Sequence, residues 1–359
     1  MTTMFFMLAP ILVDIVPAFT DAKPAILTIA KAQGTVVRNS EAAMIELNDG
    51  RLFMIWQEFQ KGEGDSDFFP GRLAAMTSVD GGRTWGEYRV LVSPEKDDIN
   101  VFSPNLVRLS NDDFLFCFMR YHSFSKALNK YPPATALAWV SHNQGETFEP
   151  LATLWTEQPI TLCNSTMKRL ASGRIVLPVC RDLSTKGQPD RWESGVYWSD
   201  DLGKTWQVGT NWVDLPKRGA MEPHIAELPD GRLLMVMRTQ LGAVFQSTSA
   251  DGGATWSPGA SLGVEAPESC PELLRIPNSD DLLLIWNGSR YDPSWYSHFG
   301  KRTPLSTAVS RDGGKTWSKP RHIETDPGSA FSNPGACFTR NGHAIIHYWT
   351  CEYQPSGAM

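Results

Sequence analysis

The residues of this 359-residue chain with most chemistry to offer are arginines and carboxylates placed at the ends of short apolar runs. Glu222 opens one such run, EPHIAELPDGRLLMVMR, and Arg238 closes it. Arg302 stands just upstream of the octapeptide SRDGGKTW. Asp65 and Asp67 lie in the Gly-rich stretch GEGDSDFFPGR. Arg120, Arg181 and Arg290 follow other apolar runs, Glu41 and Glu268 precede such runs, and Arg38 lies just ahead of Glu41. A guanidinium is a planar fork that grips a carboxylate through paired, charge-assisted hydrogen bonds. A carboxylic acid beside it can give or take a proton. Brought to one place, these groups make a pocket for an anion or a sugar.

Such residues need a scaffold that gathers distant runs, and the sequence repeats itself accordingly. Five octapeptides follow Ser-x-Asp-x-Gly-x-Thr-Trp: SVDGGRTW from Ser78, SHNQGETF from Ser141, SDDLGKTW from Ser199, SADGGATW from Ser249 and SRDGGKTW from Ser310, spaced 50 to 63 residues apart. The second carries Asn143 for Asp and Phe148 for Trp. In this Asp box the acidic or amide side chain accepts hydrogen bonds from its own turn. The Gly permits a positive φ, the hydroxyls tie down further backbone, and the Trp packs on the repeat beside it. Asp80, Asp201, Asp251 and Asp312 are therefore read as turn staples and not as catalytic acids.

A second repeat occurs six times, over 42–56, 105–119, 166–180, 224–237, 272–286 and 335–349. Each copy is an apolar run, a turn of Gly, Asn or Asp, and another apolar run, which reads as a β-hairpin. Six hairpins with five boxes predict an all-β fold, a six-bladed β-propeller with Asp-box repeats. Residues 25–359 make the single propeller. The last hairpin ends ten residues before the end of the sequence given, so residues 25–38 are expected to supply the outer strands of that blade and close the ring.

Antiparallel geometry assigns faces. The inner hairpin turns and the Asp boxes share one end. The starts of the inner strands, the ends of their partners and the loops that follow share the other. The second end collects Glu41, Glu222 and Glu268, then Arg120, Arg181, Arg238, Arg290 and Tyr348, then Asp65, Asp67 and Arg302.

The formal net charge is −6 and no basic run occurs, which excludes nucleic acid as a partner. None of the six cysteines falls in a Cys-x-x-Cys pair, so no metal site is expected and the thiols are read as buried and free. No cofactor motif is found. Residues 1–24 are apolar but carry Pro10, Asp14 and Pro17 and lack a basic start, which makes a poor membrane span. They are read as a signal or an extension, with a secreted or periplasmic location slightly favoured over a cytoplasmic one.

At these residues the chain resembles the sialidase (neuraminidase) superfamily of bacterial Asp-box proteins. The boxes span most of the chain, and the stretch from Glu222 to Arg238 resembles that family's base and second triad arginine. Arg302 resembles its third arginine, and the loop holding Asp65 and Asp67 resembles the one that carries its acid. The resemblance implies an exo-acting glycoside hydrolase that releases sialic acid or a related acidic sugar from a glycan. Arginines would bind the sugar carboxylate, and a tyrosine assisted by a glutamate would attack. Two positions depart from the pattern. Arg38 precedes the place expected for the first arginine by two residues, and Phe331 occupies the place of the tyrosine. Tyr348, Tyr291 and Tyr296 are the candidates to replace it. The alternatives are a glycosidase or lyase on another sugar, using Glu222 paired with Glu41 or Glu268, and a non-catalytic glycan-binding propeller.

Overall fold

The computed structural model describes residues 24–62, 69–122, 134–154, 160–184, 189–295 and 298–354, together with the backbone of 5–12. The described residues form strands, turns and irregular segments, and no helix among them is long and apolar enough to cross a membrane. In chain order, β1 (Phe5–Leu12) and β2 (Leu27–Lys31) come first. Blade one follows as β3 (Val36–Glu46), β4 (Leu52–Gln60), β5 (Gly71–Ser78) and β6 (Gly86–Val92). Blade two is β7 (Asp98–Arg108), β8 (Phe114–His122), β9 (Ala134–Ser141) and β10 (Glu149–Leu154). Blade three begins with a broken inner strand, β11 (Ile160–Leu162) and β12 (Lys168–Arg169), and continues through β13 (Ile175–Asp182), β14 (Trp192–Ser199) and β15 (Gln207–Val208). Blade four is β16 (Met221–Glu227), β17 (Leu233–Arg238), β18 (Ala243–Ser249) and β19 (Ala260–Glu265). Blade five is β20 (Glu272–Arg275), β21 (Leu282–Asn287), β22 (Leu305–Ser310) and β23 (Arg321–Glu324). The last pair is β24 (Ser329–Phe338) and β25 (His343–Glu352).

All six expected hairpins are present as antiparallel inner pairs. Neighbouring blades touch in turn, β3 with β7, β7 with β12, β13 with β16, β16 with β20 and β20 with β24, and β24 touches β3, so the ring closes. Blade six is completed from the other end of the chain. Its order is β2-β1-β25-β24, and Phe5 to Leu12 pair in register with Thr350 to His343. The expectation that 25–38 donates the outer strands holds for Leu27–Lys31, which lies outermost. The third strand is Phe5–Leu12, while Val36–Arg38 already belongs to β3.

Apolar side chains from facing sheets fill the seams between blades. Phe53, Ile55, Phe114, Phe116 and Phe118 join blades one and two, and Leu234, Val236, Leu273, Leu282 and Leu284 join four and five. The boxes staple the outer turns as expected. Asp251 Oδ1 accepts from Ser249 Oγ at 2.8 Å and Thr255 N at 2.9 Å, its Oδ2 accepts from Thr255 Oγ1 at 2.5 Å, and Trp256 Nε1 donates to Gly253 O at 3.1 Å. The geometry repeats at Asp80, Asp201 and Asp312, and in amide form at Asn143.

Side-chain amides lock the inner strands to one another. Asn105 Oδ1 accepts from Thr166 N at 2.7 Å and Met167 N at 3.0 Å while its Nδ2 donates to Cys163 O at 2.8 Å, which ties blade two to the broken strand of blade three. Asn287 Nδ2 donates to both Arg302 O and Phe331 O at 2.9 Å, which ties blade five to blade six.

Candidate functional site

Glu222 sits where the ladder between β16 and β17 slips, between Met221 and His224. Its φ is 46°, immediately before Pro223. A left-handed backbone is costly for a residue with a side chain, and a bulge re-aims what it carries. The device recurs on other inner strands, at Glu41 (φ 34°), Ser103 (φ 54°) and Asn333 (φ 47°), each beside a slip in register.

Arg238 ends β17 beside this bulge. Its Nη1 donates to Glu222 Oε2 at 2.9 Å, its Nη2 donates to His298 Nδ1 at 3.1 Å, and Nη2 lies 3.3 Å from Glu268 Oε1. Glu268 also binds Arg218 Nη1 and accepts from Gln240 Nε2 at 3.0 Å. Arg218 reaches on to Asp190 Oδ2 at 3.2 Å. Arg302 is 4% exposed and donates from Nη1 to Ser332 Oγ at 3.0 Å, and no carboxylate among the described residues pairs with it.

The charges perturb one another in a consistent way. Burial, with Arg238 close by, presses the Arg302 guanidinium below its ordinary value. Burial acts the same way on Arg238, but Glu222 and Glu268 outweigh it and raise that group. Burial works to raise Glu268, yet Arg238 and Arg218 hold its carboxyl below the usual range. Burial and the charges of Arg302, Arg238 and Arg218 keep His298 well below its ordinary value. It is therefore neutral at pH 7, as the Nδ1 that accepts from Arg238 requires.

Local backbone fixes these side chains. Gly219 has φ 87°, and a Cβ there would lie 2.0 Å from Trp192 O, so only glycine lets the segment carrying Arg218 run beside Trp192. Trp192 N donates to Arg218 O at 2.8 Å from the other side of that approach. Arg302 is held by its backbone, with its carbonyl on Asn287 and Phe331 and its amide on the Tyr353 hydroxyl.

The structure thus brings together Glu222, Arg238, Glu268 and Arg302 of the residues expected from sequence. Arg38 packs over Phe59, 3.7 Å from the ring centroid, and lies 5.9 Å from that of Trp349, which pairs in register with Ser332, the partner of Arg302. Glu41 accepts from Ser103 Oγ at 2.6 Å, and its charge reaches Cys163 together with that of Glu222. Asp65, Asp67 and Tyr296 lie outside the described residues.

Four expected residues are used elsewhere. Arg120 is buried against Asp98 and lies 3.0 Å from Glu95 within blade two. Arg181 grips Glu193 at 2.9 and 2.6 Å and stacks over Trp212. Arg290 is exposed and lines a separate rim cavity with Tyr291, Asp292, Trp295 and Lys301. Tyr348 is not at the site. It lies in the seam between blades five and six with Leu305, Phe331 and Ile346, and its hydroxyl donates to Glu324 Oε1 at 2.7 Å. Burial and that carboxylate push its phenol upward. Strand alternation carries the signal, because Ala344, Ile346 and Tyr348 share one face of β25. Sequence reasoning missed Arg218 and Gln240, which lie in turns flanking β16 and β17 without any motif.

The six cysteines are free, as expected, and five of them are buried; two of these belong to a second polar cluster. Cys163, His224 and Cys270, all buried, place their ligand atoms within 4.8 Å of one another. Burial acts to lower the His224 imidazole, but Glu272 and Cys270 raise it to about 10. The three come from three different blades, so no local spacing could have announced them.

Comparison with known proteins fits this architecture. The family model described as BNR repeat-like domain matches residues 50–347. A stretch of 86 residues, 24% of this chain, is 34% identical to the anhydrosialidase of Macrobdella decora, and one of 167 residues, 45% of it, is 25% identical to a sialidase of Bacteroides fragilis. These stretches span only 10% and 28% of the two relatives. Among solved structures, the NanB sialidase of Streptococcus pneumoniae superposes with a TM-score of 0.71 at 14% identity, covering 92% of this chain and 68% of that one. The intramolecular trans-sialidase of Ruminococcus gnavus gives 0.68 at 15% identity, covering 88% and 90%. A Dyadobacter fermentans protein of unknown function gives 0.66 at 18% identity, covering 88% and 94%. The chain therefore belongs to the BNR repeat-like family and has the β-propeller fold of the sialidase structures it superposes on.

Proposed function

We propose that this chain is an exo-acting glycosidase of the sialidase type, which releases sialic acid or a related carboxylate-bearing sugar from a glycan. The observation that carries this reading is Arg302. It is a buried guanidinium with Arg238 as a charged neighbour and a serine hydroxyl, not a carboxylate, as its hydrogen-bond partner. Taking such a charge out of water costs several kcal/mol unless an anion compensates it. The carboxylate of an acidic sugar supplies that anion, shared by Arg302 and Arg238, with Arg38 beside them.

Of the two glutamates on Arg238, the Glu222 side chain is 20% exposed and Glu268 only 2%. Glu222 therefore faces substrate as base, and Glu268 stays behind as counter-ion. Asp65 or Asp67 is the proposed general acid for the leaving oxygen.

Turnover of a fluorogenic sialoside tests the reading. Wild type should release fluorophore, and Arg302→Ala should fall about 100-fold in kcat/KM while keeping its circular dichroism. Full activity in that variant, or turnover of uncharged glycosides alone, would remove the carboxylate clamp. Phe331 and the engagement of Tyr348 with Glu324 favour one second reading, in which Glu222 and Glu268 work as paired carboxylates on another sugar. Preference for an uncharged substrate, with loss of turnover in Glu222→Gln, would select it.

A further inference from the structure

We propose that Cys163, His224 and Cys270 bind a zinc ion where the inner strands of blades three, four and five meet. The nitrogen–sulfur distances are those of a metal's ligand set, and the two sulfurs stand slightly closer than in one. His224 Nε2 lies 3.5 Å from each sulfur, and the sulfurs are 3.4 Å apart. Tetrahedral zinc with a Zn–S bond of about 2.3 Å and a Zn–N bond of about 2.0 Å separates its ligand atoms by about 3.5 Å (S···N) and about 3.8 Å (S···S). The sulfurs are far beyond the length of a disulfide, about 2.05 Å. One nitrogen facing two sulfurs, with all three residues buried, is the convergence that two thiolates and an imidazole adopt around a soft cation.

The surroundings fit the same ion. His224 Nδ1 lies 3.0 Å from Glu272 Oε2, which turns Nε2 toward the sulfurs, as carboxylates behind metal-bound histidines do. Neither atom has a well-aligned hydrogen bond among the described residues, so the contact is electrostatic. Lys168 Nζ stands 3.5 Å from Glu272 Oε1. Two thiolates, one carboxylate, one ammonium and a divalent cation sum to zero, which a buried cluster requires. Three protein ligands leave a fourth position for water. Cys163 and Cys270 are 107 residues apart, so the ion clips distant parts of the ring together. It also anchors β16 two residues beyond Glu222, at the far side of the strained bulge.

The full chain, purified under reducing conditions without chelator and supplied with zinc, tests this directly. Metal analysis by mass spectrometry should find about one zinc per chain, and the Cys163→Ser/Cys270→Ser double variant should lose it. Cobalt(II) exchanged into the wild-type protein should give a thiolate-to-cobalt charge-transfer band and intense visible bands of tetrahedral cobalt. Three results would each overturn the proposal: no metal above the buffer blank, copper in place of zinc, or a Cys163–Cys270 disulfide seen as loss of two hydrogens by intact mass. Zinc retained by the double variant would also overturn it. Should the double variant fail to fold, the wild-type cobalt spectrum decides alone, its thiolate band supporting the site and its absence refuting it.

Discussion

A guanidinium without a counter-ion is costly to bury, and among the described residues the site contains one with no paired carboxylate and one arrangement that avoids the cost. Arg218 and Arg238 share Glu268, whereas among the described residues the Arg302 guanidinium donates to Ser332 and pairs with no carboxylate. Glu268→Gln should therefore destabilise the fold by about 3 kcal/mol at pH 7, because it takes a shared counter-charge from the buried Arg238 and the half-buried Arg218. The pH dependence follows from the sign of the shift. Glu268 is held below its ordinary 4.5, so its stabilising share is complete above that pH and is lost as pH falls through its folded value. Urea midpoints should show a gap between wild type and variant at pH 7 that closes on acidification, and a gap independent of pH would refute the assignment. The sequence made Glu222, Arg238 and Arg302 legible because each sits at a fixed offset from an apolar run or a box. Arg218 had no such marker. Its place depends on Gly219 approaching Trp192, a contact between residues 27 positions apart.

At the scale of elements, the Asp box is a turn whose side-chain acceptors replace backbone ones. Asp251→Ala removes the acceptors of Ser249 Oγ, Thr255 N and Thr255 Oγ1, and should lower Tm by several degrees. Asp251→Asn should recover most of the loss, since Asn143 holds Thr147 N at 2.9 Å and Thr147 Oγ1 at 2.9 Å in the second box. Equal Tm for the alanine and wild-type proteins would deny the staple its role. The boxes also set an acid limit. Hydrogen bonds from Thr84 and Thr316 depress Asp80 and Asp312 from 3.8 to about 2, so their contribution is intact above about 3.8 and fades as pH drops toward 2. These turns and the six hairpins were readable because every signal in them is local. The inner-strand bulges were not read from sequence. Only the pairs Ser103-Pro104, Glu222-Pro223 and Asn333-Pro334 hint at them, a polar residue before a proline where the ladder slips.

At the scale of the molecule, the ring depends on a blade made from both ends of the described chain. β25 is covered on one edge by β24 and on the other by β1. Deleting Phe5–Leu12 should bare that edge, speed amide exchange along His343–Thr350 and promote association through it. Unchanged exchange in β25 would show that the blade closes some other way. The sequence reading found the donor region but set its start too late, because an apolar run with two prolines resembles an export segment as much as a strand. The metal ligands could not be read at all, since only the closed ring brings Cys163, His224 and Cys270 together. The same closure places Arg38, Arg238 and Arg302 for the function proposed here, in which their common target is a carboxylate. The most direct measurement is calorimetric titration of the protein with free sialic acid and with its methyl ester. The acid should bind and the ester should bind about 100-fold more weakly or not at all, because esterification removes the charge these arginines compensate. Equal affinity for the two would contradict the account.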